Sequence, residues 1–158
     1  MAQEIERKFL PASEGWRGLG EGQRLVQGYL CAEQGRTVRV RLAGEEGFLT
    51  VKGAGHGPEG IARTEFEYGI PAADARAMLA LCSLPLIEKT RFRIPFQGLV
   101  WEVDEFSGVN AGLVLLEVEL ERSDQPIVKP DWAGEEVSAD PRYSNAMLAR
   151  NPFTRWKL

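Results

Sequence analysis

The sequence predicts a mainly β protein of α+β type, its antiparallel sheet rolled into a closed or nearly closed barrel with helices against the outside. Two observations carry this. Most of the chain falls into short segments that alternate charged and apolar residues at the strand period of two. The charged faces also carry same-sign pairs at i and i+2, such as Arg39 with Arg41, Glu65 with Glu67 and Glu117 with Glu119. Such pairs repel on a merely solvated face, where Thr, Ser, Gln and Lys are the usual mixture. They make sense where several strands converge on something highly charged. The opposite faces are apolar and need cover. The sheet therefore rolls with its charges inward, and closure removes its edges as well.

The first strand, residues 3–10, sets the pattern. Glu4, Glu6 and Lys8 share one face; Ile5, Arg7 and Phe9 share the other. That charged face repels itself unless a divalent cation sits beside the acids and an anion beside the base. Taken alone, the segment would serve equally as the solvated face of an edge strand. Residues 11–22 are rich in glycine and polar residues and hold Trp16 with one short helical turn. Residues 23–31 read as a strand with Gly28 at a bulge or bend. Residues 37–42 and 48–52 form a hairpin, with Arg39 and Arg41 on one face of the first and Thr50 and Lys52 on one face of the second. A mobile loop over 53–60 leads to a strand at 63–70. Residues 71–83 are the clearest amphipathic helix, with Ala75, Met78, Leu79 and Cys82 at helical spacing.

Strands follow at 87–94, with Lys89, Arg91 and Arg93 together, at 99–106, with Glu102 and Asp104 together, and at 113–120, with Glu117 and Glu119 together. Residues 126–136 read as irregular. Asp140 caps a short helix over 142–149 that has Pro141 in its first turn and is stopped by Asn151-Pro152. Without a repeat or linker, the 158 residues read as one domain.

Composition narrows the function. The two cysteines, Cys31 and Cys82, sit among apolar neighbours and read as small buried side chains, not as a disulfide or metal pair. The single histidine, His56, lies in a glycine-rich loop, which argues against histidine zinc chemistry and His-dependent triads. A net charge of −4 argues against a nucleic-acid binder working by bulk charge. The acidic start and the absence of a long apolar run predict a cytoplasmic protein. Trp16, Trp101, Trp132 and Trp156 read as packing residues.

What remains is a lumen with a basic side and an acidic side. Arginine forks and lysines grip phosphate oxygens. Carboxylates hold magnesium or manganese, which bridges to the same oxygens. A metal-bound phosphate chain beside an activated water is arranged for phosphoryl transfer to water.

In order along the chain stand Glu4-Ile5-Glu6-Arg7-Lys8, Arg39-x-Arg41, Lys52, Glu65-x-Glu67, Lys89-x-Arg91, Asp104 and Glu117-x-Glu119. This series resembles the CYTH domain of the triphosphate tunnel metalloenzymes, whose signature is an N-terminal Glu-x-Glu-x-Lys. One such motif is weak; the ordered series is specific and spans essentially the whole chain. It includes a closing segment with Gly134-Glu135-Glu136-Val137 and Arg142-Tyr143-Ser144-Asn145.

The resemblance implies an eight-stranded antiparallel tunnel that binds a triphosphate and Mg²⁺ or Mn²⁺. By similarity, Lys8, Arg39, Arg41, Lys52, Lys89 and Arg91 hold phosphates, and Glu4, Glu6, Asp104, Glu117 and Glu119 hold metal. Lys52 and Tyr29 fall where some members place a Lys–Tyr pair beside the hydrolytic water. Glu65 and Glu67 hold water or orient the bases; Glu102 has no match. The implied activity is metal-dependent hydrolysis of inorganic tripolyphosphate to pyrophosphate and phosphate. The alternatives are a class IV adenylate cyclase, a thiamine triphosphatase, or a non-catalytic polyphosphate or nucleotide module. The expected partner is a small triphosphate, not nucleic acid or membrane. Apolar outer faces left uncovered favour a homodimer.

Overall fold

The computed structural model describes residues 3–156. Its strands are β1 (Gln3–Pro11), β2 (Gly22–Glu33), β3 (Arg36–Ala43), β4 (Glu46–His56), β5 (Ala62–Ile70), β6 (Ile87–Phe96), β7 (Leu99–Ser107), β8 (Val114–Glu119) and β9 (Ala133–Glu136). Two α-helices accompany them among the described residues, α1 (Ala72–Leu81) and α2 (Asn145–Arg150). Pairing runs β5-β4-β3-β2-β6-β7-β8-β1, and β1 pairs β5 again, so eight antiparallel strands close into a ring. No helix among the described residues is long and apolar enough to cross a membrane.

Closure depends on β1 serving two neighbours on one edge. Gln3, Glu4 and Ile5 pair β5, after which β1 outruns β5 and its later residues, Phe9 and Pro11, pair β9. The sequence reading left β9 irregular. The strand is only four residues long, Ala-Gly-Glu-Glu, and forms because β1 leaves a free edge there. The expected loop at 53–60 is also shorter than read: β4 continues to His56 through a register shift between Lys52 and Gly55. The closing helix divides in two. Asp140 caps a 3-10 turn at Pro141–Tyr143, and Ser144 caps α2 separately.

The outer face of β1, β6, β7 and β8 is apolar and buries Phe9, Ile94, Trp101, Val103, Leu116 and Val118. Its cover is not helical. The segments carrying Trp16 and Trp132 lie over it, with Trp132 edge-on to Trp101 at 5.9 Å. Helix α1 covers β2, β3 and β4 instead. It fits because Gly28 and Gly47 lack side chains: a Cβ would stand 2.7 Å from Cys82 Sγ at the first and 2.8 Å from Ala75 Cβ at the second. Cys82 and Cys31 are free thiols and only half-buried, more open than the sequence reading had them. On β5, Phe66 and Tyr68 stay exposed.

Inside the ring β2, β6, β7 and β8 change character along their length. Beyond the charged rows, Tyr29, Ile87, Phe106 and Leu115 turn inward and pack with Tyr143, Leu148 and Ala149. The last part of the chain thus plugs one end of the barrel with an apolar cluster.

Candidate active site

The period-two faces fold as the sequence requires. Lys8, Arg39, Arg41, Lys52, Lys89, Arg91, Glu4, Glu6, Glu117, Glu119 and Tyr29 all line one cavity of about 210 Å³. Arg63, Glu65, Glu67, Arg93 and Glu102 join them. Arg7 lies on the outer face, where its guanidinium grips Glu136 at 2.9 and 2.5 Å. Glu105 likewise pairs with Arg17 outside, at 2.8 Å.

The registers place unlike walls side by side. On β1 and β8, Glu6 stands opposite Glu119 and Lys8 opposite Glu117. Burial, then Glu117 and Glu4, push the Glu6 carboxyl up to about 8. Burial and the neighbouring acids Glu4 and Glu102 raise Glu119 too. On β6 and β7 the acid is matched. Asp104 accepts from Arg91 Nε and Nη2 at 2.7 and 2.9 Å and from Lys89 Nζ at 2.8 Å, with no exposed surface. Burial pushes its carboxyl up, but Lys89 and Arg91 outweigh that and hold it far below the usual range. Glu117 shows the same contest: Lys8, Arg91 and Lys89 overcome burial and hold it at about 2.

Asp104 is thus already engaged by cations. Both its oxygens are spent on cations, and it is the one expected site residue that does not line the cavity. Glu4 is also engaged, accepting from Lys52 Nζ with both oxygens at 2.9 Å, while Glu65 stands 3.6 Å from the same ammonium. Among the described residues no three acidic, His or Cys side chains are gathered ready around a metal. Glu6 and Glu119, facing each other without a cation between them, nonetheless fit one. They are hard oxygen donors, and they repel until something positive joins them. Tyr29 pairs in register with Arg39 of β3, whereas Lys52 of β4 pairs with Thr37. The hydroxyphenyl ring belongs to the apolar plug, a step away from Lys52 along the barrel.

The basic wall is built to receive an anion. Arg39 is 8% exposed and its Nε has no hydrogen-bond partner. Such an orphan is costly unless a ligand completes it. Its Nη2 donates to Thr50 Oγ1 at 3.2 Å, and Thr50 donates on to Glu67 at 3.0 Å. Arg41 is pushed down to about 10 by burial and by Arg39 and Arg91, and Lys89 to about 8 by burial with Arg91 and Arg41 against Asp104. Thr37, Thr50 and Gln27 also reach the site, as neutral residues that the charge pattern does not mark. They share strand parity with Arg39, Lys52 and Tyr29, and parity was the signal that could have found them.

A closed antiparallel ring whose interior sets a basic wall against an acidic one defines a tunnel protein for a metal-associated polyanion. The CYTH domain model matches residues 2–149, and the chain belongs to that family. An inorganic triphosphatase of Acetivibrio thermocellus is 44% identical, over 99% of this chain and 99% of its own. An inorganic triphosphatase of Nitrosomonas europaea is 37% identical, over 92% of this chain and 96% of its own. A crystal structure of an inorganic triphosphatase superposes with a TM-score of 0.67 at 35% identity, covering 94% of this chain and 95% of that one.

Proposed function

We propose that this chain hydrolyses inorganic tripolyphosphate to pyrophosphate and phosphate with the help of a divalent cation. The observation that carries it is the pairing of opposite walls in one small cavity: buried Arg39, its Nε without a partner, on one side and the raised carboxyls of Glu6 and Glu119 on the other. A pure anion binder has no use for the second wall. The two relatives named inorganic triphosphatase, aligned along almost the whole chain, favour this substrate.

Lys8, Arg39, Arg41, Lys89 and Arg91 grip phosphate oxygens with the donors their protein partners leave free. Lys52, steadied by Glu4 and Glu65, orients the reacting end. Glu6 and Glu119, with Glu117 and Glu4, would hold Mg²⁺ or Mn²⁺; Asp104 steers Lys89 and Arg91 instead. A bound divalent cation would supply positive charge on the phosphate oxygens and favour attack by water. Water's oxygen bonds to a terminal phosphorus, the bridging P–O bond breaks, and the water proton leaves to solvent.

The test is phosphate release from tripolyphosphate, ATP and thiamine triphosphate with Mg²⁺ or Mn²⁺. Tripolyphosphate should give the highest kcat/KM. Cyclic AMP and pyrophosphate from ATP, or tight binding with no turnover under either metal, would overturn the proposal.

A further inference from the structure

The strand faces do not explain how the plugged end of the cavity is finished. Helix α2 brings Asn145 there, and Asn145 Oδ1 accepts from Lys89 Nζ at 3.0 Å and from Gln27 Nε2 at 3.2 Å. Gln27 Oε1 in turn accepts from Arg41 Nε at 2.8 Å. Lysine and arginine only donate, so the cation at each end fixes which way both carboxamides point. The result is one chain, Lys89–Asn145–Gln27–Arg41, running through β6, α2, β2 and β3. Gln27 and Lys89 have no exposed surface. Just before α2, the Tyr143 carbonyl also accepts from Lys8 Nζ at 3.3 Å.

The chemistry of this chain differs from that of Asp104. A carboxylate holds a cation and cancels part of its charge. A carboxamide oxygen holds the cation and leaves the full charge for a ligand. Leu148, Ala149 and Tyr143 of the same closing segment belong to the apolar plug.

We infer that Asn145 and Gln27 are positioning residues that clamp Lys89 and Arg41 into a single end wall, where the terminal phosphate of the substrate seats. This rests on the triphosphatase reading above and adds a fixed end to it.

The experiment compares the full chain with Asn145→Leu, Gln27→Met, the double variant and Asn145→Asp, each checked by its melting curve. Losing a hydrogen bond to a charged group should raise KM for tripolyphosphate roughly tenfold, with kcat within about threefold. Because both residues act in one chain, the double variant should be no more than about twofold worse than either single. Asn145→Asp keeps an acceptor for Lys89 but cancels part of its charge, so its KM should stay well above the wild-type value; a wild-type KM there would contradict the clamp. Folded single variants with wild-type KM, or single effects that multiply, overturn the clamp. If Asn145→Leu does not fold, Gln27→Met alone decides. A wild-type chain inactive on tripolyphosphate sinks the functional reading instead. Calorimetric binding of inorganic phosphate without metal, weakened by the same variants if the clamp is real and unchanged if it is not, then decides the clamp by itself.

Discussion

The two walls of the tunnel solve the same problem in opposite ways. On β6 and β7, Asp104 sits between Lys89 and Arg91, so its charge is matched and both cations are held before any ligand arrives. On β1 and β8, Glu6 stands in register with Glu119, and burial among other acids leaves both carboxyls raised. The first wall is a finished device for holding two cations still. The second is unfinished until a cation binds. Preorganisation belongs to the phosphate side, and the requirement for metal belongs to the acid side.

The largest effects should come from groups that touch the ligand on either wall. Arg39→Ala and Glu117→Ala should each lower the rate of phosphate release roughly a hundredfold or more, as loss of one preorganised charge-stabilising group does. Wild-type rates in both would reduce the charged lumen to a solvated face. Asp104→Ala sharpens the contrast, because it leaves Lys89 and Arg91 buried without their partner. It should cost about 3–5 kcal/mol in urea unfolding, the usual penalty for breaking a buried ion pair. A loss below about 1 kcal/mol, the scale of an exposed pair, would mean that Asp104 is not the keystone of its wall.

A smaller effect separates the walls by pH. Folding raises Glu6 to about 8 and Glu65 to about 7, from an ordinary 4.5. Between 4.5 and those values the folded protein binds more protons than the unfolded chain, so stability falls as pH rises. Asp104 and Glu117 titrate below this window, and Lys89 at its upper end. The metal-free Tm should therefore drop from about pH 5 to about pH 7.5, and Mn²⁺ should flatten the slope by replacing the protons. A metal-free Tm that climbs across that range would contradict the unfinished wall. Smallest of all, Arg7→Ala on the outer face should cost about 1 kcal/mol or less and leave turnover unchanged. A change in KM there would mean that the tunnel face was misassigned.

Much of this was legible in the sequence because a strand's period of two assigns faces without knowing the fold. Glu4, Glu6, Arg39, Arg91 and Glu117 reach the lumen for that reason. Periodicity does not assign partners. It put Asp104 on the right face and could not show Lys89 and Arg91 closing over it. Nor does it give neutral residues a role, so Gln27 and Thr50 carry no site assignment in the sequence and Asn145 stands there only as part of the closing segment. Strand β9 carries no alternation in four residues, and the covering of β6 to β8 by irregular tryptophan-bearing segments instead of helices depends on contacts distant in sequence.

The most direct measurement is anomalous diffraction from crystals grown with Mn²⁺ and a non-hydrolysable imido analogue of tripolyphosphate. The account predicts manganese density bound by Glu6 and Glu119, with the analogue's oxygens against Arg39 and Arg91 and its end at Lys89 and Arg41. Manganese and analogue found only on the outer surface, with the lumen still holding Lys52 on Glu4, would contradict it.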